Sequence, residues 1–160
     1  MGVNREALGL LALARASGAD FSKVLMAGRQ LLTVDTPQLA QFFNQRGRAD
    51  LAAKAGEMRG DGFCEGLLKA AFGAGSVLSM DYSDYEGAGL IHDLNTPIRP
   101  PDAYSLVADF GTLEHVFNLP VAFDNLAKLT APGGHILHVL PGNNFVGHGF
   151  YQFSPELFFQ

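Results

Sequence analysis

The chain has 160 residues, of which 48% are hydrophobic, 17% charged and 11% aromatic. This size and composition are those of one ordinary folded domain, and they exclude an intrinsically disordered chain. The formal net charge of −5, from 11 basic and 16 acidic residues, argues against a nucleic-acid partner, because phosphate binding requires an excess of Lys and Arg.

Cysteine content and apolar runs set further limits. The single cysteine, Cys64, excludes an internal disulfide and a cysteine-cluster zinc site. No apolar run approaches the ~18 residues that a membrane-spanning helix needs. The run at 7–14 is too short for a typical signal peptide and ends at Arg15. We therefore expect a cytoplasmic protein that does not bind a membrane.

The N-terminal part of the chain predicts a helix and then a buried strand. Leu8 and Leu11 lie on one face of a helix over residues 5–16. Residues 23–28 form a short apolar run that stops at Gly28, which is typical of a buried strand.

Helical segments are predicted between residues 36 and 73. Thr36 is the predicted cap of one helix, and Asp61 is the predicted cap of a second helix, which Gly73 ends. We interpret residues 36–73 as a helical insertion that covers a site or docks a partner, within a single domain of residues 1–160.

The rest of the chain alternates strands with helices. The predicted elements are strands at 76–81, 90–93, 104–109 and 135–140, a helix at 119–129, and a helix that begins at Ser154. Parallel strands need helical crossovers and are buried on both faces. The pattern therefore predicts an α/β fold with a Rossmann-like parallel sheet of about five strands flanked by helices.

Three of these strands end on an acid, namely Asp81, Asp93 and Asp109. Ligands of open parallel sheets bind at the carboxyl ends of the strands, so we expect the three carboxylates on one rim. They suit a ligand with hydroxyls, amines or positive charge. The chain has no P-loop, and a nicotinamide dehydrogenase is disfavoured because no Gly-x-Gly-x-x-Gly turn follows the first strand.

Residues 104–118, with the sequence YSLVADFGTLEHVFN, are followed by APGGH at 131–135. These two segments resemble the central part of class I S-adenosylmethionine-dependent methyltransferases, which carry a strand ending in an acid, a Leu-Glu-His-Val stretch, a helix and a Pro-Gly-Gly turn. Residues 78–81 and 91–94 resemble the second-strand and third-strand motifs of that family. The resemblance covers the chain from about residue 23 onward.

The resemblance implies S-adenosylmethionine as cofactor and a small-molecule or glycan-precursor methyl acceptor. In the family, the acid of the second strand holds the ribose hydroxyls, and the acid of the third strand contacts the adenine amino group. Asp93 also lies in an ordinary turn sequence, and Asp109 can instead cap the next turn. The implied cofactor-binding residues are Gly28, Asp81, Asp93, Leu94, Asp109 and Gly111.

The chain departs from the family after its first strand. The family carries an acid-x-Gly-x-Gly loop there, whereas this chain has the sequence MAGRQ at 26–30. Gly28 still allows a close backbone approach, and Arg29 either pairs with the cofactor carboxylate or is solvated. The departure raises an alternative function, that of a non-catalytic binding or assembly module that keeps the fold without the cofactor.

A loop at 142–152 follows the last predicted strand, where acceptor substrates enter this fold. His148 is the predicted general base and Tyr151 the second candidate, while the alternative is a structural loop with an aromatic cluster. His135 and His138 are expected to be ordinary strand residues, and no metal site is expected. The predicted substrate-binding residues are Glu114, His115, Asn144 and Gln152.

The predicted last strand lies at the edge of the sheet and precedes a tail rich in Phe. Family members continue with another helix and two further strands, so the resemblance implies an incomplete class I methyltransferase fold for this chain. An exposed edge and exposed Phe side chains favour association. We expect either a piece of a longer protein or a homo-oligomer that pairs through this strand and the tail.

Overall fold

A parallel sheet of five strands lies at the centre of the computed structural model, which describes residues 2–100 and 102–159. In chain order the helices and strands are β1 (Gly2–Val3), α1 (Arg5–Ala16), β2 (Lys23–Ala27), β3 (Leu31–Leu32), α2 (Thr36–Asn44), α3 (Ala49–Ala52), α4 (Ala55–Arg59), α5 (Glu65–Phe72), β4 (Ser76–Asp81), β5 (Leu90–Ile91), β6 (Tyr104–Asp109), α6 (Leu119–Leu129) and β7 (Thr130–His138). Two 3₁₀ helices cover Leu113–His115 and Pro155–Phe158.

The strand order in the main sheet is β5-β4-β2-β6-β7, and every pair is parallel. The chain therefore starts in the middle, runs to one edge and then crosses to the other side of β2. This is the order of a Rossmann-like fold, in which the reversal point lies between β2 and β6. The structure confirms the predicted α/β fold with a Rossmann-like parallel sheet of five strands. The short strands β1 and β3, which form a separate parallel pair, were not predicted.

The central strand divides the hydrophobic core into two clusters. Val24 and Met26 belong to one cluster, and Leu25 and Ala27 belong to the other, because successive side chains of a strand point to opposite faces. Helices α1, α2 and α5 pack on the first face, and α6 packs on the second. The sheet is thus covered on both sides, as a parallel sheet requires.

Two predicted helix caps are wrong. Helix α2 is capped by Asp35, whose side chain accepts a hydrogen bond from the backbone N–H of Gln38 at 2.8 Å. The Gln38 side-chain oxygen accepts in turn from the backbone N–H of Asp35 at 3.0 Å. Thr36 is therefore already inside the helix. The next strong helix, α5, begins at Glu65 and not near Asp61. Asp61 instead accepts from the backbone N–H of Phe63 at 3.2 Å.

The last strand starts and ends earlier than the predicted 135–140, because β7 runs from Thr130 to His138. In the β6–β7 register Thr130 pairs with Tyr104, and His135 pairs with Leu106. The residues at 131–134 are therefore extra residues that bulge out of the ladder and do not form a turn ahead of the strand. Beyond β7, the predicted C-terminal helix is only the 3₁₀ turn Pro155–Phe158.

Strand β7 lies at the edge of the sheet, as the sequence predicts. The aromatic tail beside it is only partly exposed, because Phe153 is buried against α6 and Tyr151 is half-buried. The large apolar side chains of this tail that stay exposed are Phe145, Val146, Phe150, Leu157, Phe158 and Phe159. Among the described residues, no helix has both the length and the apolar character needed to cross a membrane.

Candidate functional site

A cavity of about 220 Å³ lies at the carboxyl ends of β4, β5 and β6. Its position matches the ligand-binding rim of Rossmann-like sheets. The cavity brings together residues from distant parts of the chain, including several that the sequence singles out. Its lining residues are Met80, Asp81, Tyr82, His92, Asp93, Leu94, Asn95, Thr112, His115 and Val116.

The two acids in the cavity wall are held in defined positions. Asp81, the last residue of β4, accepts a hydrogen bond from the Tyr82 N–H at 2.6 Å through Oδ1. Asp93 accepts from the backbone N–H of Asn95 at 2.9 Å and from its side-chain amide at 2.8 Å. These two bonds from Asn95 hold the pKa of Asp93 below its ordinary value, so this carboxylate is ionised at neutral pH.

The segment that carries Asp93 and Leu94 rests on a buried amide. Asn125, on the inner face of α6, is fully buried. Its side-chain oxygen accepts from the N–H of Ile98 at 2.8 Å, and its amide donates to the carbonyls of Thr96 and Leu94 at 2.8 and 3.3 Å. Three bonds from one side chain fix the floor of the cavity. Asn125 was not predicted, because a polar residue on a helix is ordinarily exposed.

The end of β2 at the reversal point is closed by side chains of the protein itself. Gly28 has φ of +70°, and a Cβ there would lie 2.7 Å from Oγ1 of Thr112. The Thr112 hydroxyl and the buried Gln30 amide both donate to the Ala27 carbonyl at 2.6 Å. Gly28 therefore allows a close approach, and in the structure the approaching group is Thr112.

Arg29 is neither solvated nor free to bind a ligand carboxylate, which corrects both sequence-based expectations. Its guanidinium donates to Glu65 at 2.7 Å, to Asp61 at 3.0 Å and to the Glu86 carbonyl at 2.9 Å. It also stacks on the Phe63 ring at 3.7 Å from the centroid. The hydrogen bond that Arg29 donates to Glu65 is the main reason that the pKa of Arg29 is raised. Arg29 joins α5 to the loop after β4.

Asp109 is fully buried at the end of β6, away from the solvent side of the rim. Its Oδ1 accepts from the backbone N–H groups of Thr112 and Leu113 at 3.0 and 3.3 Å, and its Oδ2 contacts Nδ1 of His138 at 2.9 Å. Gly111 has φ of +100° and lets the chain turn back for these bonds. Asp109 therefore caps the turn after β6, which is the alternative role that the sequence analysis gives it.

His138 is therefore not an ordinary strand residue, and that prediction is wrong. It lies opposite Asp109 in the register of the two neighbouring parallel strands β6 and β7. Both residues are the last of their strands, and this shared position is the feature of the sequence that could have indicated the pair. The pair could be predicted only if β6 and β7 were known to be neighbours in the sheet.

A second group of predicted residues meets beside the cavity. Glu114 is fully buried, and its Oε1 lies 3.6 Å from Nε2 of His148 and 3.9 Å from Nε2 of His115. The two imidazole rings pack edge to face, with centroids 4.9 Å apart. Burial is the main cause that raises the pKa of Glu114 above its ordinary value.

The loop after β7 folds back over the 3₁₀ helix Leu113–His115. Tyr151 donates its phenolic proton to the Phe117 carbonyl at 2.7 Å, which makes it an anchor of the loop and leaves His148 as the candidate base. The Gln152 side chain accepts from the backbone N–H of Phe145 at 3.2 Å and closes the loop. Asn144 is exposed and has φ of +58°. Gln152 and Asn144 line no part of the cavity.

The fold and the rim define a Rossmann-like α/β protein with an acidic cavity at the carboxyl ends of its strands. A scan against protein-family models and searches among curated proteins and solved structures gave no match. The resemblance to methyltransferases therefore rests on the sequence motifs described above.

Proposed function

We propose that this protein transfers a methyl group from S-adenosylmethionine to a small-molecule acceptor. The observation that supports the proposal is the convergence of two motif acids and their neighbour on one cavity. Asp81 ends β4, Asp93 and Leu94 lie in the loop just after β5, and all three line the same space. Family members use residues at these motif positions for the nucleoside part of the cofactor.

The cavity fits the nucleoside portion of the cofactor better than the whole molecule. Its volume of about 220 Å³ is below the roughly 300 Å³ at which pockets begin to enclose a drug-sized ligand. Asp81 offers a carboxylate to the ribose diol, and the apolar Leu94 side chain offers a surface to the adenine ring. The amino-acid portion belongs near Gly28, where Gln30 and Thr112 have to rotate away from the Ala27 carbonyl.

When bound, S-adenosylmethionine supplies a methyl carbon from its sulfonium sulfur, which keeps the electron pair of the broken bond. The chain itself has to orient the acceptor and to take up a proton when the acceptor is a hydroxyl or an amine. His148 can accept this proton, because its imidazole lies next to His115 of the cavity wall. The nearby Glu114 carboxylate stabilises the imidazolium that results.

Isothermal titration with S-adenosylhomocysteine tests the proposal. We expect binding, and we expect Asp81→Ala to weaken it by about 10- to 150-fold, which corresponds to the roughly 1.5–3 kcal/mol of a hydrogen bond to a charged group. Asp84→Ala is the matched control, because Asp84 is an exposed acid just after β4 that does not line the cavity. Folded protein that binds no S-adenosylhomocysteine at millimolar concentration contradicts the proposal.

A second candidate is a binding module that keeps the fold without using the cofactor. The side chains of Gln30 and Thr112 at the end of β2 favour it, because they occupy the place of the amino-acid portion. Titration with adenosine separates the two functions. A methyltransferase binds S-adenosylhomocysteine more tightly than adenosine, whereas a module with a closed β2 end binds both equally or binds neither.

A further inference from the structure

We infer that Glu114, His115 and His148 form a binding site for a divalent transition-metal ion of the zinc type. The three side chains offer one carboxylate oxygen and two imidazole nitrogens, all within 4.8 Å of one another. The inference does not depend on methyl transfer, because the three residues can bind an ion in the absence of any cofactor.

The Glu114 carboxylate is fully buried, and neither of its oxygens has a hydrogen-bond partner among the described residues. A buried, unpaired carboxylate is costly, and such groups in proteins are paired with a cation or bound to a metal. The polar atoms nearest to it in the cluster are the two imidazole nitrogens, at 3.6 and 3.9 Å. These distances are too long for hydrogen bonds.

The distances suit an ion placed between the three groups. Ligand atoms at about 2.0–2.1 Å from a tetrahedral zinc ion lie roughly 3.3–3.4 Å apart. The Glu114 oxygen is already close to that separation from both nitrogens. His115 and His148 keep 47% and 36% of their side chains exposed, so small rotations of either ring are possible.

Backbone contacts hold the loop that carries His148 against Glu114 and His115. The Glu114 carbonyl accepts from the N–H groups of Phe150 and Tyr151 at 2.7 and 3.3 Å. Gly149 packs so closely that a Cβ there would lie 2.7 Å from the same carbonyl oxygen. These contacts fix His148 over the 3₁₀ helix. The sequence analysis names all three residues but expects no metal site, because His148 comes from a distant loop and Glu114 looks like an exposed charge.

Two histidines and one carboxylate are the protein ligands of several catalytic zinc sites, which keep a fourth position open. Here the open coordination position faces solvent, because both imidazole side chains are partly exposed. An ion with a free position polarises a hydroxyl or a water bound to it. With the ion bound, Nε2 of His148 is a ligand, and the ion takes the place of the imidazole in activating an acceptor hydroxyl.

The test uses protein stripped with a chelator and titrated with Zn²⁺ by calorimetry, with Co²⁺ absorption as a second readout. We expect one ion per chain, a visible Co²⁺ spectrum and a higher Tm with Zn²⁺. Glu114→Gln and His148→Ala should each weaken binding by at least about 100-fold, since loss of even an outer partner of a ligand costs 10- to 100-fold. His135→Ala is the control, because His135 is exposed on β7.

Each outcome of this experiment decides the inference. Absence of Zn²⁺ binding by the folded wild-type protein overturns it, and so does binding that Glu114→Gln, His148→Ala and His135→Ala leave equally strong. Glu114→Gln keeps the shape of the side chain, so it tests the site even if His148→Ala disturbs the loop. Because no cofactor is present, failure here is distinct from failure to bind S-adenosylhomocysteine.

Discussion

The buried amide of Asn125 should contribute a large share of the stability of the cavity floor. Asn125→Ala removes one acceptor and one donor group, and three hydrogen bonds of 2.8 to 3.3 Å are lost. The N–H of Ile98, a residue only 7% exposed, then has no partner, which costs roughly 1–3 kcal/mol. The carbonyl of Thr96, in an exposed turn, can bond to water instead. With about 1 kcal/mol more for the lost bond to the carbonyl of the buried Leu94, the expected loss is about 2–4 kcal/mol.

Urea unfolding at equilibrium measures this loss. Total stabilities of single domains are roughly 5–15 kcal/mol, so the urea midpoint should fall markedly with an unchanged m-value. Asn44→Ala is the matched control on the exposed end of α2, where a change within about 0.5 kcal/mol is expected. The reasoning is refuted if Asn125→Ala is no more destabilising than Asn44→Ala.

Three further expectations concern the end of β2, the buried thiol and the sheet edge. Gly28→Ala should destabilise by about 1–3 kcal/mol more than Gly47→Ala in urea, because both have φ of +70° but only Gly28 is crowded by Thr112; equal losses contradict this. Burial raises the pKa of Cys64, so Ellman's reagent should label it only after unfolding, and stability should fall as pH rises above ~8.5, where the unfolded thiol ionises. Rapid labelling of native protein is the opposing result. Light scattering should give a mass above the 17.1 kDa of one chain, since β7 and the tail expose backbone and apolar groups; a clean monomer contradicts it.

The sheet could be predicted because its strands are local patterns. Strands β4 and β6 have the predicted bounds, since each is a short apolar run closed by an aspartate. The first helix also has its predicted bounds, because Leu8 and Leu11 recur at helical spacing and Ser17 with Gly18 ends it. Local propensity and burial agree in these segments, so no tertiary contact had to be known.

The errors arose where a distant contact decides the local structure. Asp61 looks like a helix cap, but its carboxylate binds Arg29, and α5 begins only after Cys64. Arg29 itself looks free in the sequence, since Glu65 approaches it only in the folded chain.

The candidate site was predicted in part for the same reason. Asp81 and Asp93 line the cavity because strand ends of a parallel sheet share one rim. Glu114 was named as a substrate-binding residue, but its burial depends on the loop that returns over it at Gly149. The Asp109–His138 contact depends on the register of β6 and β7, which no local pattern contains.

A crystal structure grown with S-adenosylhomocysteine is the most direct measurement of the proposed function. We expect electron density for the nucleoside in the cavity between Asp81 and Asp93, with the ribose hydroxyls within hydrogen-bond distance of Asp81. We also expect Gln30 and Thr112 to have turned away from the Ala27 carbonyl to admit the amino-acid portion. A cavity without ligand density at millimolar S-adenosylhomocysteine, with Gln30 still bonded to Ala27, would contradict the assignment of this rim as a cofactor site.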